Sequence, residues 1–199
     1  MFREADQFNQ DLSTWDVSKV TNFTDMFYAT NLFTGAGLST WTTGGANTEP
    51  AIMNSMFTLA TVFNQDLSNW NVGRVTSFNQ MFYLASIFNN GDAAGEIGTG
   101  MQNWNIGANL TTETINMNRM FRQAAQFNQD LSNWDVTKVT TFREMFFQAT
   151  AFTGDGKVEF DAGNEQVTSG LSNWKISDTN TNAVVMTCLL YTSPSPRDS

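Results

Sequence analysis

Apolar and polar positions in this chain recur as a block. Met-Phe pairs fall at Met1-Phe2, Met26-Phe27, Met56-Phe57, Met81-Phe82, Met120-Phe121 and Met145-Phe146, so successive Met residues are 25, 30, 25, 39 and 25 apart. Three short copies align without gaps: FNQDLSTWDVSKVTNFTDMF from Phe8, FNQDLSNWNVGRVTSFNQMF from Phe63 and FNQDLSNWDVTKVTTFREMF from Phe127. Self-similarity at a fixed period marks a repeat architecture, and it takes precedence over any element-by-element reading.

Two periods run inside each copy. Val20, Phe23, Met26 and Phe27, with their counterparts Val75, Phe78, Met81, Phe82 and Val139, Phe142, Met145, Phe146, recur every three to four residues. That spacing predicts one short apolar helical stripe per copy. Asn22 with Asp25, Ser77 with Gln80, and Thr141 with Glu144 read as capping pairs at the helix starts. Ala29, Ala60, Ala85, Ala124 and Ala149 extend the stripe where little room is left. The other half of the block, typified by Leu12, Trp15, Val17 and Val20, is similar to the leucine-rich repeat pattern L-x-x-L-x-L, whose middle residues form a strand. Strands are therefore expected around Trp15, Trp41, Trp70, Trp104, Trp134 and Trp174, with the indoles inward. The neighbouring polar residues then point outward.

A helix and a strand of this size cannot bury their apolar faces alone. A buried Phe or Val contributes about 1.5–3 kcal/mol, whereas ordering each residue costs about 1–2 kcal/mol. Stacking of neighbouring copies makes the balance favourable. The expected fold is α/β: a leucine-rich-repeat-like solenoid of about six repeats of about 25 residues, with short parallel strands on one face and short helices on the other. The longer copies carry Gly-rich polar insertions, such as NNGDAAGEIGTGMQN and TGDGKVEFDAGNEQVTSGLSN, which read as loops along one edge.

The motif F-N-Q-D-L-S-x-W-D-V-x-x-V-T-x-F-x-x-M-F resembles the bacterial surface protein repeat known as the DUF285 or BspA-like family. The resemblance runs over residues 1–187, expected to form a single repeat domain truncated at both ends. It implies leucine-rich-repeat-like folding and surface-displayed or secreted bacterial proteins, mycoplasmas among them, and it implies no defined ligand and no catalytic motif. The last segment, CLLYTSPSPRDS at 188–199, has no counterpart elsewhere in the chain. It resembles a translated sequencing-library adapter and is expected to be non-native and dispensable for stability.

Charge and chemistry narrow the function. Net charge is −9, and an acidic surface suits neither nucleic acid nor anionic lipid. No stretch approaches the roughly 18 apolar residues of a membrane span. Histidine is absent, and the single cysteine, Cys188, lies in the tail. The commonest general base, the usual nucleophile pairs and the usual zinc sites are therefore missing. Asp11, Asp66 and Asp130 share one motif position, and Asp16 and Asp135 share another, which reads as a structural ladder rather than an asymmetric active site. The chain is thus expected to be no enzyme and to need no cofactor. Calcium held by Asp/Asn ladders or by Asp155, Glu159, Asp161 and Glu165 is a minor alternative, without an EF-hand or nonapeptide motif.

The candidate ligand-binding surface is the strand face, formed by Thr14, Asp16, Ser18, Asn69, Asn71, Asn103, Asn105, Asn133, Asp135, Asn173 and Lys175. Short polar side chains in flat rows suit hydrogen bonding to a protein or carbohydrate. The expected function is extracellular recognition or adhesion at a host or neighbouring cell, and the alternative is an architectural spacer. The apolar ends around Met1, Phe2 and Phe8 and around Val184, Val185 and Met186 are expected to drive end-to-end self-association.

Overall fold

A computed structural model describes residues 1–43, 49–153, 171 and 174. Its regular elements are few. Four short strands, β1 (Ala51–Ile52), β2 (Val75–Ser77), β3 (Ile115–Asn116) and β4 (Val139–Thr141), form one parallel sheet in chain order. Two 3-10 turns, Leu38–Thr40 and Gly100–Asn103, are the helical elements among the described residues. A small parallel sheet with few helices fits the α/β class. Each strand pairs with the equivalent stretch of the next copy, Val139 against Ile115 for example, and Asn22 bridges to Ile52 ahead of β1.

The strands do not sit at the tryptophans. β2 and β4 occupy the V-T-x stretch, and β1 and β3 the equivalent A-I and I-N stretches, shortly before their Met-Phe segments. The Leu-x-x-Trp stretch is a turn, closed by Trp15 N–H to Leu12 O at 3.0 Å, Trp70 N–H to Leu67 O at 3.0 Å and Trp134 N–H to Leu131 O at 3.1 Å. Val-x-x-Val closes in the same way, with Val75 N–H donating to Val72 O at 2.9 Å. Aspartates nucleate these turns. Asp11, Asp66 and Asp130 each accept the amide two residues on, from Ser13, Ser68 and Ser132, at 2.8 Å. A carboxylate bonding its own backbone two positions ahead substitutes for one arm of a turn.

The expected helical stripes are also turns. Met26 N–H donates to Phe23 O at 3.1 Å and Tyr28 N–H to Asp25 O at 3.2 Å, three-residue closures that place Asp25 (φ 55°) and Ala29 (φ 53°) in the left-handed region. Ser55, Leu59, Gln80, Leu84, Arg119, Gln123, Glu144 and Gln148 repeat that conformation at the equivalent positions. The amides left over point to the next copy: Asp25 to Asn54 O at 3.0 Å, Phe27 to Met56 O at 2.9 Å and Ala29 to Thr58 O at 2.8 Å. Ring spacing explains the choice. Phe27, Phe57, Phe82 and Phe121 stack with centroids 5.5 Å apart. An α-helix with its side chains is about 10–12 Å across, so helices cannot stack at this spacing. Turns bonded sideways, like a strand ladder at about 4.8 Å, can.

Of the capping pairs, the first members act as turn starters. Asn22 Oδ1 accepts the Thr24 amide at 2.9 Å, while Asp25 pairs instead with Arg3. Ala29 is likewise not the counterpart of Ala60. That inward place belongs to Thr30, fully buried, whose hydroxyl donates to Phe27 O at 2.8 Å.

The core is a set of aromatic columns. Phe2, Phe27, Phe57, Phe82, Phe121 and Phe146 form one, with neighbours 5.5–5.7 Å apart. Phe8, Phe33, Phe63, Phe88, Phe127 and Phe152 form a second, and each lies flat against the first-column ring of its own copy, as Phe82 and Phe88 do at 3.9 Å. Tryptophan makes a third: Trp41 on Trp70 at 6.1 Å, Trp104 on Trp134 at 6.0 Å and Trp134 on Trp174 at 6.2 Å. Every indole of this column reaches back one copy. Trp41, Trp70, Trp104, Trp134 and Trp174 donate Nε1–H to the carbonyls of Leu12, Leu38, Leu67, Met101 and Leu131 at 2.7–3.0 Å. A buried indole needs such a partner. Trp41, Trp70, Trp104 and Trp134 are therefore inward as expected and Trp174 is half-buried, but Trp15 is 37% exposed.

The insertion at 89–100 docks on the next copy. Gly98 N–H donates to Asn128 O at 3.0 Å and Gly98 O accepts from Asp130 at 2.8 Å. Buried amides tie it down: Asn89 Oδ1 accepts the Asn128 amide at 2.8 Å, and Gln129 Nε2 donates to Asn89 O at 2.9 Å. Gly98 leaves room for this contact, because a Cβ there would displace the side-chain ends of Gln129 and Asp92. The second long insertion lies outside the described residues, as does 188–199.

Candidate binding surface

The predicted surface residues fall into rows on either side of the tryptophan column. Thr14, Asn69, Asn103 and Asn133 each precede a Trp and are exposed. Asp16, Asn71, Asn105 and Asp135 follow it, and their side chains are occupied by the backbone. Asp16 accepts the Ser18 amide at 3.0 Å. Asp135 accepts both the amide and the hydroxyl of Thr137, at 3.0 and 2.7 Å. Asn71 accepts the Gly73 amide and the Asn105 side-chain amide, both at 3.1 Å, and Asn105 in turn accepts the Val72 amide at 3.1 Å. These bonds favour the carboxylate over the acid. The Ser18 and Thr137 hydroxyls, then the backbone amides, hold Asp16 and Asp135 below the ordinary carboxylate range. Ser18 is half-buried beside its Asp. Asn173 and Lys175 lie outside the described residues. The geometry thus separates the candidates into a free row and a row that builds the turns.

A second surface escaped the sequence. On the Met-Phe turns, outward side chains stack copy on copy: Arg3 over Tyr28 at 4.3 Å, and Arg122 over Phe147 at 4.4 Å and over Tyr83 at 5.7 Å. Glu144 gathers three arginines: Arg119 at 2.8 Å, Arg143 at 3.5 Å, and Arg122. The hydrogen bond from Arg119, with the charges of Arg119 and Arg122, lowers the Glu144 pKa against a burial effect of opposite sign. Leu32 and Ile87 are 47% and 42% exposed on the turns that follow, closed by Phe33 N–H to Thr30 O and Phe88 N–H to Ala85 O. These positions differ in residue type from copy to copy, so the repeat pattern carries no signal for them. Only the fold brings them together.

Among the described residues no group of three or more acids, cysteines or histidines is placed to hold a metal ion. Asp155, Glu159, Asp161 and Glu165 lie outside them. Among the same residues, no helix is long and apolar enough to cross a membrane.

Parallel pairing of successive motif copies and continuous aromatic columns define a repeat protein. The chain belongs to the family described as "Mycoplasma protein of unknown function, DUF285", whose model matches residues 1–98 and 92–183. No curated protein and no solved structure matches it.

Proposed function

We propose that the chain is a solenoid of about six repeats and a non-enzymatic recognition or adhesion module, secreted or displayed at a cell surface. The observation that carries this reading is the free row Asn69, Asn103 and Asn133, one per copy beside the tryptophan column, with Thr14 at the equivalent place beside Trp15. Short amides held at a fixed repeat by a stiff support can meet a glycan or a protein strand at several points. Each contact is weak, but their summed avidity is large. Glycan and host-protein arrays test it. Binding should fall at least about tenfold, or 1.4 kcal/mol, when Asn69, Asn103 and Asn133 are all changed to Ala, with the melting temperature unchanged. Binding that ignores the triple change would sink the reading.

One observation favours a spacer instead: Asp16, Asn71 and Asp135 spend hydrogen-bonding capacity on their own turns, and Asn105 on Val72 and Asn71 of the preceding copy. A spacer would bind nothing on the arrays. End-to-end association is a separate proposal, resting on the part-exposed Phe2, Phe8 and Trp15 at one end. Val184, Val185 and Met186 lie outside the described residues.

A further inference from the structure

We propose that two copies of this chain associate side by side and antiparallel through the outward faces of the Met-Phe turns. Three observations on that face converge.

The first is an apolar centre. Leu59 and Leu84 stand in successive copies, half-buried, near Val62 and the exposed Ile87 and Leu32 in sequence. The second is strain. Leu59 (φ 61°) and Leu84 (φ 59°) hold the left-handed conformation, which a branched aliphatic residue adopts at a cost and Asn adopts readily. Gln123 and Gln148 fill the same position in later copies. Both leucines are only half-buried within the chain, and covering by a second surface would complete their burial against that strain.

The third is charge, and it selects the occupant. At the N-terminal end of this face Arg3 pairs with Glu4 and Asp25, and Asp6, which accepts from Asn31, brings these four side chains to −2. At the other end Arg119, Arg122 and Arg143 surround Glu144, leaving +2. The face therefore reads acidic, apolar, basic. A two-fold axis between the Leu59 and Leu84 copies turns this series onto its complement. It sets the copy holding Glu4 opposite the one holding Arg143, and the copy holding Asp25 opposite the one holding Arg119. The uniform ring spacing of 5.5–5.7 Å keeps all of these pairs in register at once. A self-complementary patch of this kind closes as a dimer and does not propagate. An acidic or a basic foreign partner would match only one end.

Sedimentation velocity on the full chain over a concentration series tests the proposal. The expected result is a monomer–dimer equilibrium that weakens with salt as the end charges are screened. The Leu59→Asn, Leu84→Asn double variant should fold at least as stably and dimerise at least about tenfold more weakly. Charge reversal gives the sharper readout. Arg143→Glu and Glu4→Arg chains should each dimerise poorly alone. An equimolar mixture should recover dimer, because the heterodimer restores opposite charges at both ends. A monomer at all concentrations would overturn the proposal. So would association that strengthens with salt and ignores the Asn pair, which is the behaviour of end-to-end stacking, and so would mixed charge variants that fail to rescue each other.

Discussion

The first and second short copies carry nearly the same words, FNQDLSTW and FNQDLSNW, yet their aromatics live in different surroundings. Phe63 is fully buried and Trp70 is 2% exposed, with its indole N–H on Leu38 O. Phe8 is only part-buried and Trp15 is 37% exposed. Within its own copy each Phe has the same flat neighbour, Phe2 for Phe8 and Phe57 for Phe63, at 3.8 and 4.0 Å. What differs is the copy on the far side. The motif supplies half of each contact and its neighbour the other half, so burial is a property of the stack.

Truncating the aromatics should break this comparison most visibly. Trp104→Ala, which removes a stacked, hydrogen-bonded indole, should cost about 3–5 kcal/mol in urea unfolding. Trp15→Ala should cost about 1–2 kcal/mol, since its ring is part-solvated already. Equal losses would mean that the ends are as tightly packed as the middle.

Glycines offer a second contrast. Gly37 (φ 87°) lies against the preceding copy, where a Cβ would fall on the Ser13 amide nitrogen and on Asp11 Oδ1. Gly37→Ala should therefore destabilise by about 2–3 kcal/mol. Gly95 (φ 71°) has no neighbour nearer than 3.5 Å, so its replacement by Ala should cost about 1 kcal/mol from backbone strain alone.

The two polar rows differ by less. Asp135→Ala loses a turn-forming acceptor and should cost about 1 kcal/mol, whereas Asn133→Ala should stay within about 0.5 kcal/mol of the parent. Calorimetry that reverses this order would exchange the roles of the two rows.

The smallest effect is electrostatic. Because Glu144 titrates below its ordinary 4.5 in the folded chain, its stabilisation is present above that value and is lost as pH falls through the lowered one. Glu144→Gln should flatten the acid limb of the stability curve, and an unchanged limb would show that the three arginines hold nothing.

How the fold was legible, and where it was not, turns on the number three. Phe23-x-x-Met26, Leu12-x-x-Trp15 and Val17-x-x-Val20 are all separated by three residues, which suits a helical face and a β-turn equally well. No glycine flags the left-handed positions, which are filled by Asp25, Ser55, Gln80, Arg119 and Glu144. Nothing local, then, distinguishes a chain of turns from a short helix. A segment this short is also a marginal helix in isolation. The choice passes to the next copy, which accepts the amide bonds and imposes a spacing too narrow for helices.

By itself the sequence determined the repeat, the family, the inward tryptophans other than Trp15 and the structural part of the recurring aspartates, because those depend on which residues recur and at what interval. Tertiary structure decided the rest. It moved the strands from the tryptophans to Val75–Ser77 and Val139–Thr141, replaced helices with sideways-bonded turns, and split the candidate row into free and occupied halves. It also assembled an acidic, apolar and basic face from positions that share no motif letter. The physical reason is common to all of these. A backbone amide and an exposed side chain take their partners from the copy stacked beside them, about 25 residues away in sequence and 5.5 Å away in space.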